Sequence, residues 1–472
     1  MTPSPLWTST DAPAATGGRA AGTWTTNGIS IDTRSLERGD LFVALSGPNF
    51  DGHDFVGGAF DNGAAAALVS ETGADSLDGM PGLIVADTLE ALRSLAVAGR
   101  ARTGAKIAAI TGSVGKTGTK EALAHVLASQ GSTSFSKSSL NNHWGVPLSL
   151  ARMPKDTDFG IFEIGMNHPG EITPLVSLAR PHVAVVTAIA SAHMAFFKSL
   201  EDIAHAKAEI FSGLDGGIAI INRDTEHFDL LATTALATGA DRIISFGRST
   251  EADMRLIECL SDTTSNSVEA SWHGKTLNFR VGQPGVHWAY NSLAVLTTVD
   301  ALGGDMDTAA SALAALPGLP GRGAVHVIPW GNGSIRLIDD SYNANPESMN
   351  AALKTLGHMP KDGGRRVVIL GDMLELGDIS KAAHEALEAE IIRNDIDIAF
   401  LAGQEMTALA DRLSSTALAG IADTADELLP IVMSGLQAGD IVTVKASNGI
   451  GLSRIIKKLT EPAPVARAAN GT

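Results

Sequence analysis

Short apolar runs rich in Val, Ile and Ala recur along the chain, separated by Ala- and Leu-rich stretches with charges at helical spacing. That alternation is the signature of parallel sheets with helical crossovers. Residues 29–32 and 40–45 (DLFVAL) read as strands with a turn over Leu36–Gly39 between them. A helix over 57–65 and a strand over Ala66–Ser70 complete a small α/β unit ending near residue 100. A second unit begins at Lys106, where IAAITG is a buried strand and Lys116–Ser129 a helix. Its later strands fall at 159–164, 183–187, 218–222 and 242–246. Residues 265–281 form a hairpin turning at His273-Gly274, and a helix follows over 288–302. The cluster LPGLPGRG, 316–323, interrupts regular structure and marks a boundary. Beyond it, strands at 335–339, 366–370, 398–402 and 441–445 alternate with helices, a Rossmann-like pattern without the dinucleotide fingerprint. The expected organisation is α/β in three domains, 1–100, 101–316 and 317–460, with a disordered tail over 461–472.

Composition narrows the class of partner. The 472 residues are 44% hydrophobic and 18% charged, ordinary values for a folded protein. A net charge of −17 argues against nucleic acid as the main partner. It leaves phosphorylated small molecules open, because such sites use local donors. The single cysteine, Cys259, rules out an internal disulfide and fits a reducing cytoplasm. The first residues lack the basic and apolar regions of a secretory signal. No run of about 18 apolar residues exists to span a membrane.

The strongest local motif is Thr111-Gly112-Ser113-Val114-Gly115-Lys116-Thr117, between a predicted strand and a predicted helix. Two glycines let the backbone curl so that its N–H groups face phosphate oxygens, and the helix adds its positive end. Lys116 can reach the β- and γ-phosphates, and the Thr117 hydroxyl can ligate Mg²⁺. The strict GxxxxGK[ST] pattern fails, since Ile110 stands at its first glycine. A Gly-rich turn with a coincidental Lys-Thr is the competing account.

Further segments carry a resemblance. They are GISIDTRSLERGDLFVALSGPNFDGHDF (28–55), TGSVGKTGTKE (111–121), SLNNHWGVPLSL (139–150), FEIGMNHPGEI (162–172), AHMAFFKSLEDIAHAKAEIF (192–211), IDDSYNANPESM (338–349) and LGDMLELG (370–377). Together and in this order they resemble the Mur ligase family along nearly the whole chain. DSYNANP followed by LGDMLELG resembles its dipeptide-adding branch. The resemblance implies a monomeric cytoplasmic ligase with an N-terminal UDP-substrate domain, a central ATP-binding domain and a C-terminal Rossmann-like domain. It implies that D-alanyl-D-alanine is joined to UDP-N-acetylmuramoyl-tripeptide through an acyl phosphate, with ATP and two Mg²⁺ ions, in peptidoglycan precursor synthesis.

The same resemblance assigns roles. Thr111 to Gly118, with Lys116 catalytic, would hold ATP phosphates. Thr117, Glu163, His193 and Lys207 would surround the metals, with Lys207 carbamylated by CO₂ and His193 and Lys207 also catalytic. Asn291 resembles the adenine contact, with His287 nearby. Arg322 resembles an arginine reaching the phosphates, and Asp340 the ribose-binding acid. Asp32, Thr33, Arg34, Asn49, Asp51, Gly52 and His53 would bind the UDP part. Asn141 and Asn142 would face the phosphates and the substrate carboxylate. Tyr342, Asn343 and Asn345 would shape their loop or form a purely structural turn. Taken alone, Glu163 could be a solvated strand-end carboxylate and Lys207 an ordinary surface lysine.

There are three departures from the family pattern: Gly118, where a Thr is common; Ala195, where many relatives carry Glu; and the segment Ala446-Ser447-Asn448, where Gly-Ser-Arg is common. The last removes a cation that Lys445 or Arg454 could replace. Rival readings are the ligase adding the third peptide residue, a folylpolyglutamate synthetase, and a regulatory protein that only hydrolyses ATP. The first usually carries an Asp-Asn-Pro-Arg type signature in its third domain, which this chain lacks there; the second lacks the DSYNANP and LGDMLELG pair; and the last would not need the whole constellation. Whether the tripeptide ends in diaminopimelate or lysine stays open.

Overall fold

The structure is a computed structural model that describes residues 4–191, 195–262 and 264–461. His193 and the tail from residue 462 onward therefore lie outside the described residues. Packing divides the chain into two compact units, one drawn from Met1–Ile189, Glu201–Arg255 and Asn291–Ala312, the other from Ala190–Leu200, Leu256–Tyr290 and Leu313–Thr472.

The first unit contains two sheets. The smaller runs in the order Arg19–Ala21, Gly82–Val85, Ala66–Ser70, Asp40–Val43, Gly28–Ser30, parallel except for its first strand. The larger has parallel strands in the order Thr133–Phe135, Phe159–Glu163, Lys106–Thr111, Val183–Val186, Gly217–Asn222, Ala240–Gly247. Lys106–Thr111 comes first in sequence and lies inside the sheet, so the chain leaves it to one side and later returns to the other. That reversal opens a crevice at the carboxyl ends of the strands, the usual ligand position in such sheets.

The core of the smaller sheet extends to a helix that connects two strands of the larger one. Leu92 and Leu95 of the helix Thr88–Ala101 pack with Leu148 and Ala151 of the helix Gly145–Ala151. Polar ties cross the same junction: the Trp7 indole donates to the Ala151 carbonyl at 2.9 Å, and Arg102 stacks on Trp7 while donating to the carbonyls of Leu6 and Met153.

The second unit holds a sheet ordered Ala324–Trp330, Gly333–Asp340, Ile441–Lys445, Arg366–Gly371, Ile398–Ala402, Leu418–Ala422. Only its first pair is antiparallel. Apolar clusters cover both faces, one containing Leu428, Val432 and Ile455, the other Leu353, Leu356 and Leu387. The unit also carries the hairpin Asn266–Trp272 with Lys275–Val281, whose turn residues His273 (φ 49°) and Gly274 (φ 75°) are both left-handed, as a two-residue hairpin turn demands.

Several sequence expectations change in detail. The helix expected over 57–65 spans Val56–Asp61, and the one over 116–129 ends at Leu127. The strands Gly82–Val85, Ala324–Trp330 and Leu418–Ala422 were not foreseen. Leu418–Ala422 is an edge strand, LAGIA, with no fully buried residue and a Gly/Ala content that favours strands little, and Ala324–Trp330 is interrupted by His326 and Pro329.

Candidate functional site

The strand Lys106–Thr111 delivers the loop 112–115, and the helix Lys116–Leu127 leaves from it. Gly112 (φ 149°) and Gly115 (φ 85°) occupy backbone regions that favour glycine. Side chains would not fit either: a Cβ at Gly112 would run into the Thr187 hydroxyl, and one at Gly115 would lie 2.8 Å from Asn291 Oδ1. The neighbouring strand end pins the loop, with Ser113 N donating to the Ala188 carbonyl at 2.7 Å and Thr187 Oγ1 to the Val114 carbonyl at 2.6 Å. Lys116 Nζ donates to the Gly112 carbonyl at 2.6 Å. Gly118 is buried in the first turn of the helix.

Behind the loop, oxygen donors converge. Glu163 is 1% exposed, at the carboxyl end of Phe159–Glu163. Its carboxylate accepts from Thr117 Oγ1 at 2.8 Å and from Asn141 Nδ2 at 2.8 Å. It is therefore no solvated strand-end acid. Thr117 and Glu163 form a hard oxygen pair of the kind Mg²⁺ prefers. Among the described residues, no group of three or more His, Cys, Asp or Glu forms a metal cage.

Lys207, in the helix Leu200–Ala208, is 2% exposed, so it is no surface lysine. Burial, reinforced by the positive charge of Lys116, lowers its ammonium pKa well below the usual lysine range. Among the described residues, no carboxylate pairs with it. Glu209, two residues on, anchors this segment by accepting from the backbone N–H groups of Gly170, Ile172 and Thr173. Asn142 turns its Oδ1 to the N–H groups of Trp144 and Gly145, starting the helix there.

The second unit contains a cavity lined by Pro284, His287, Trp288, Ile338, Asp340 and Thr355, among others. Its walls are apolar with a few polar groups, the usual character of a small-molecule pocket. Asp340 forms a 2.7 Å ion pair with buried Lys445, which also donates to the Asn343 carbonyl at 2.9 Å. Arg454 is engaged with Asp426. The Arg322 guanidinium lies 4.3 Å over the Tyr342 ring. Asn345 caps the helix Pro346–His358 through a reciprocal pair of bonds with Ser348.

The first half of LGDMLELG, residues 370–373, is buried and acts as a clamp. The Asp372 carboxylate accepts from the N–H groups of Glu405 and Met406, Met373 N donates to His384 Nε2, and Leu374 N donates to Ser447 Oγ.

The N-terminal motif is closed on itself. Arg34 grips Asp32 through Nε and Nη2, lowering the Asp32 pKa. The Thr33 carbonyl accepts from Asn62, and Asn49 is exposed. His53 Nε2 accepts from Ser70 N at 3.0 Å, so the ring proton sits on Nδ1 and faces Asp51 at 2.6 Å. Gly52 is required by packing, since a Cβ there would press into the backbone of Ala44 and Leu45.

Family models match three stretches: "Mur ligase family, catalytic domain" over 25–100, "Mur ligase middle domain" over 110–299, and "Mur ligase, glutamate ligase domain" over 321–448. The UDP-N-acetylmuramoyl-tripeptide–D-alanyl-D-alanine ligase of Rickettsia prowazekii is 35% identical over 96% of this chain and 99% of its own. The chain belongs to the Mur ligase family. Among solved structures, this Mur ligase is similar to MurF from Acinetobacter baumannii, with a TM-score of 0.83 and 29% identity over 98% of this chain and all of that one. It is also similar to the Thermotoga maritima MurF ligase solved with ADP, with a TM-score of 0.75 and 27% identity over 92% and 97% of the two chains. No helix of this Mur ligase, among the described residues, is long and apolar enough to cross a membrane.

Two features escaped the sequence reading. Lys120 is fully buried beside the phosphate loop, and Glu209 is tied into the loop after Glu163. Each lies inside a quoted motif, TGSVGKTGTKE or AHAKAEIF, but type and spacing alone carry no signal for a buried tether.

Proposed function

We propose that this chain is an ATP-dependent ligase joining D-alanyl-D-alanine to UDP-N-acetylmuramoyl-tripeptide, giving the pentapeptide precursor, ADP and phosphate. The observation that carries the reading is the convergence of Thr117, Asn141 and Glu163 behind a glycine-shaped phosphate loop, in a chain 35% identical end to end to a ligase of that name.

The chemistry follows from what a carboxylate lacks. Its carbon is a poor acyl donor, so a carboxylate oxygen first attacks the γ-phosphorus of ATP. The bond from that phosphorus to the β–γ bridging oxygen breaks, releasing ADP and leaving an acyl phosphate. The dipeptide amine then attacks the acyl carbon, loses a proton, and expels inorganic phosphate. The protein positions the groups and stabilises charge. The 112–115 backbone and Lys116 cradle the phosphates. Thr117 and Glu163 would hold Mg²⁺, which when bound neutralises charge on the β- and γ-phosphate oxygens. Asn141 orients Glu163. Lys207, by the family resemblance, reacts as the neutral amine with CO₂, forming an N–C bond and releasing a proton. Its buried site supports this, because a depressed pKa keeps the nucleophilic form available. His193 and the carbamate would serve the second metal.

Asp340, Asn291 and Arg322 are assigned to the nucleotide as the resemblance implies. We assign residues 32–53 to the UDP part of the substrate. The reaction belongs to the cytoplasm, where ATP and nucleotide-linked precursors occur, and to a monomer.

The test is ADP release measured with UDP-muramyl dipeptide or tripeptide against D-alanyl-D-alanine, diaminopimelate and lysine. Turnover is expected only with tripeptide and D-alanyl-D-alanine together. Turnover only with the dipeptide substrate and diaminopimelate or lysine would overturn the assignment. ATP hydrolysis indifferent to both substrates would point instead to a regulatory ATPase.

A further inference from the structure

Lys120 lies on the helix Lys116–Leu127 with its side chain fully buried, and none of the chemistry above uses it. A buried ammonium is unfavourable unless its charge and all its donors are met. Here Nζ donates to the Ser136 carbonyl at 2.6 Å and the Ser138 carbonyl at 2.9 Å, and lies 2.7 Å from the Glu121 carboxylate. The two carbonyls flank one turn, in which Ser138 holds a left-handed backbone (φ 51°). Lys137, Ser138 and Ser139 are exposed, so apolar packing cannot hold this turn. The buried cation is its tether.

The turn leads to Glu163 by two routes. Ser136 Oγ accepts from Glu163 N at 3.3 Å. Asn141, three residues past Ser138, donates to the Glu163 carboxylate and takes the Gly165 N–H on its own carbonyl at 2.8 Å.

We propose that Lys120 is a positioning residue for the metal-binding carboxylate, its buried ammonium fixing the 136–138 turn so that Asn141 and Ser136 set the orientation of Glu163. This rests on the reading of Glu163 as a Mg²⁺ ligand. Residues that orient a metal ligand typically change metal affinity ten- to a hundred-fold when lost, so an effect of about ten-fold is expected.

The experiment uses the full chain. Lys120→Met should speed amide hydrogen exchange in residues 136–142 and at Gly165 of the ligand-free protein, leaving the strand Lys106–Thr111 protected. Calorimetry should show Mg²⁺·ADP binding weakened about ten-fold. Adding Ser138→Gly to Lys120→Met should recover part of that affinity, because glycine takes the left-handed backbone without strain. Lys120→Gln, which keeps an uncharged donor, covers the case where the methionine variant does not fold, and should show the same local pattern more weakly. Unchanged exchange over 136–142, exchange faster everywhere, or unchanged Mg²⁺·ADP affinity in a folded Lys120 variant would overturn the proposal. No recovery with Ser138→Gly would overturn the route through the turn. Glu163→Gln is the control on the underlying reading: if it leaves Mg²⁺·ADP affinity intact, the metal assignment fails, whereas exchange over 136–142 still reports on the tether.

Discussion

Glu163 and Lys207 are 1% and 2% exposed, whereas in the N-terminal motif the side chains of Arg34 and Asp51 are 88% and 54% exposed. Both regions were singled out by the same family resemblance, yet they are built differently. Around the phosphate loop, side chains distant in sequence meet in the interior: Thr117, Asn141 and Glu163 share two short hydrogen bonds. In the N-terminal motif, residues close in sequence satisfy one another: Arg34 with Asp32, and His53 with Asp51. Buried oxygens brought together from distant segments, here the Thr117 hydroxyl and the Glu163 carboxylate, can be shared with a bound cation. Polar groups that close a local circuit first shape a loop, and only what remains uncommitted can touch a substrate.

The largest effect should come from the interior region. Lys116→Ala should lower ADP formation by at least about 10²- to 10³-fold, the usual loss when one donor to developing charge is removed. Circular dichroism should stay unchanged, because the Lys116 ammonium donates to a carbonyl of its own loop. Near-normal turnover would erase the contrast between the regions.

Lys207→Ala should also be nearly inactive, and short carboxylic acids should restore part of the rate by supplying the missing anion. Full activity without dependence on bicarbonate would remove the carbamate. The lowered Lys207 pKa adds a stability test. A folded-state pKa below the unfolded one means that the unfolded chain binds more protons between the two values, so stability rises with pH across that window. In CO₂-free buffer, Lys207→Met should therefore melt higher than the parent near neutral pH. The gap should shrink as pH approaches the ordinary lysine value of 10.5. A gap that widens with pH would reverse the assignment of burial as the cause.

The same contrast explains what was legible in the sequence. Strands such as Lys106–Thr111 and Arg366–Gly371 are buried on both faces, so they read as continuous apolar runs. The loop motif was legible because its glycines are demanded by backbone geometry. The edge strand Leu418–Ala422 was not, since it is only partly covered and its Ala and Gly residues favour strands little. Asp372 and His53 show a further limit. Both lie in motifs that single out a branch or a site, but the structure commits them to N–H groups of Met406 and Ser70. A motif records that a residue type is needed at a position. Whether the need is contact or shape depends on partners far away in sequence.

His53→Ala tests the shape side of the comparison. It leaves Ser70 N–H without its acceptor and should lower stability by about 1–3 kcal/mol. It should also change the acid limb. The Asp51 carboxyl is held at about 2, first by the His53 backbone N–H and then by the His53 ring. A carboxylate with a depressed folded-state pKa contributes stability that is present above the unfolded value and lost as pH falls through the folded one. The parent should therefore lose this contribution between about pH 4 and about pH 2. The variant, lacking the ring donor, should lose less. Unchanged melting together with a large rise in KM for the UDP-substrate would make His53 a direct contact.

The smallest stability effect should come from Arg34→Ala, and it divides the N-terminal motif most finely. The guanidinium is almost wholly in water, where an ion pair is screened and side-chain entropy offsets it. The melting temperature should not move measurably. Two of the guanidinium's nitrogens are spent on Asp32, but the remaining donors face outward and can reach an anionic oxygen. Loss of one such solvent-exposed contact to a diphosphate should raise KM for the UDP-substrate about five-fold, with kcat unchanged, because ground state and transition state lose it equally. The effect should fade with added salt, since ions screen an exposed pair. Asp32→Ala serves as the converse: freeing Arg34 from its partner should leave KM equal or lower. If neither variant moves KM, the Asp32–Arg34 pair shapes its loop as His53 and Asp51 shape theirs, and UDP recognition must fall to other groups such as Asn49 and the backbone of 46–52.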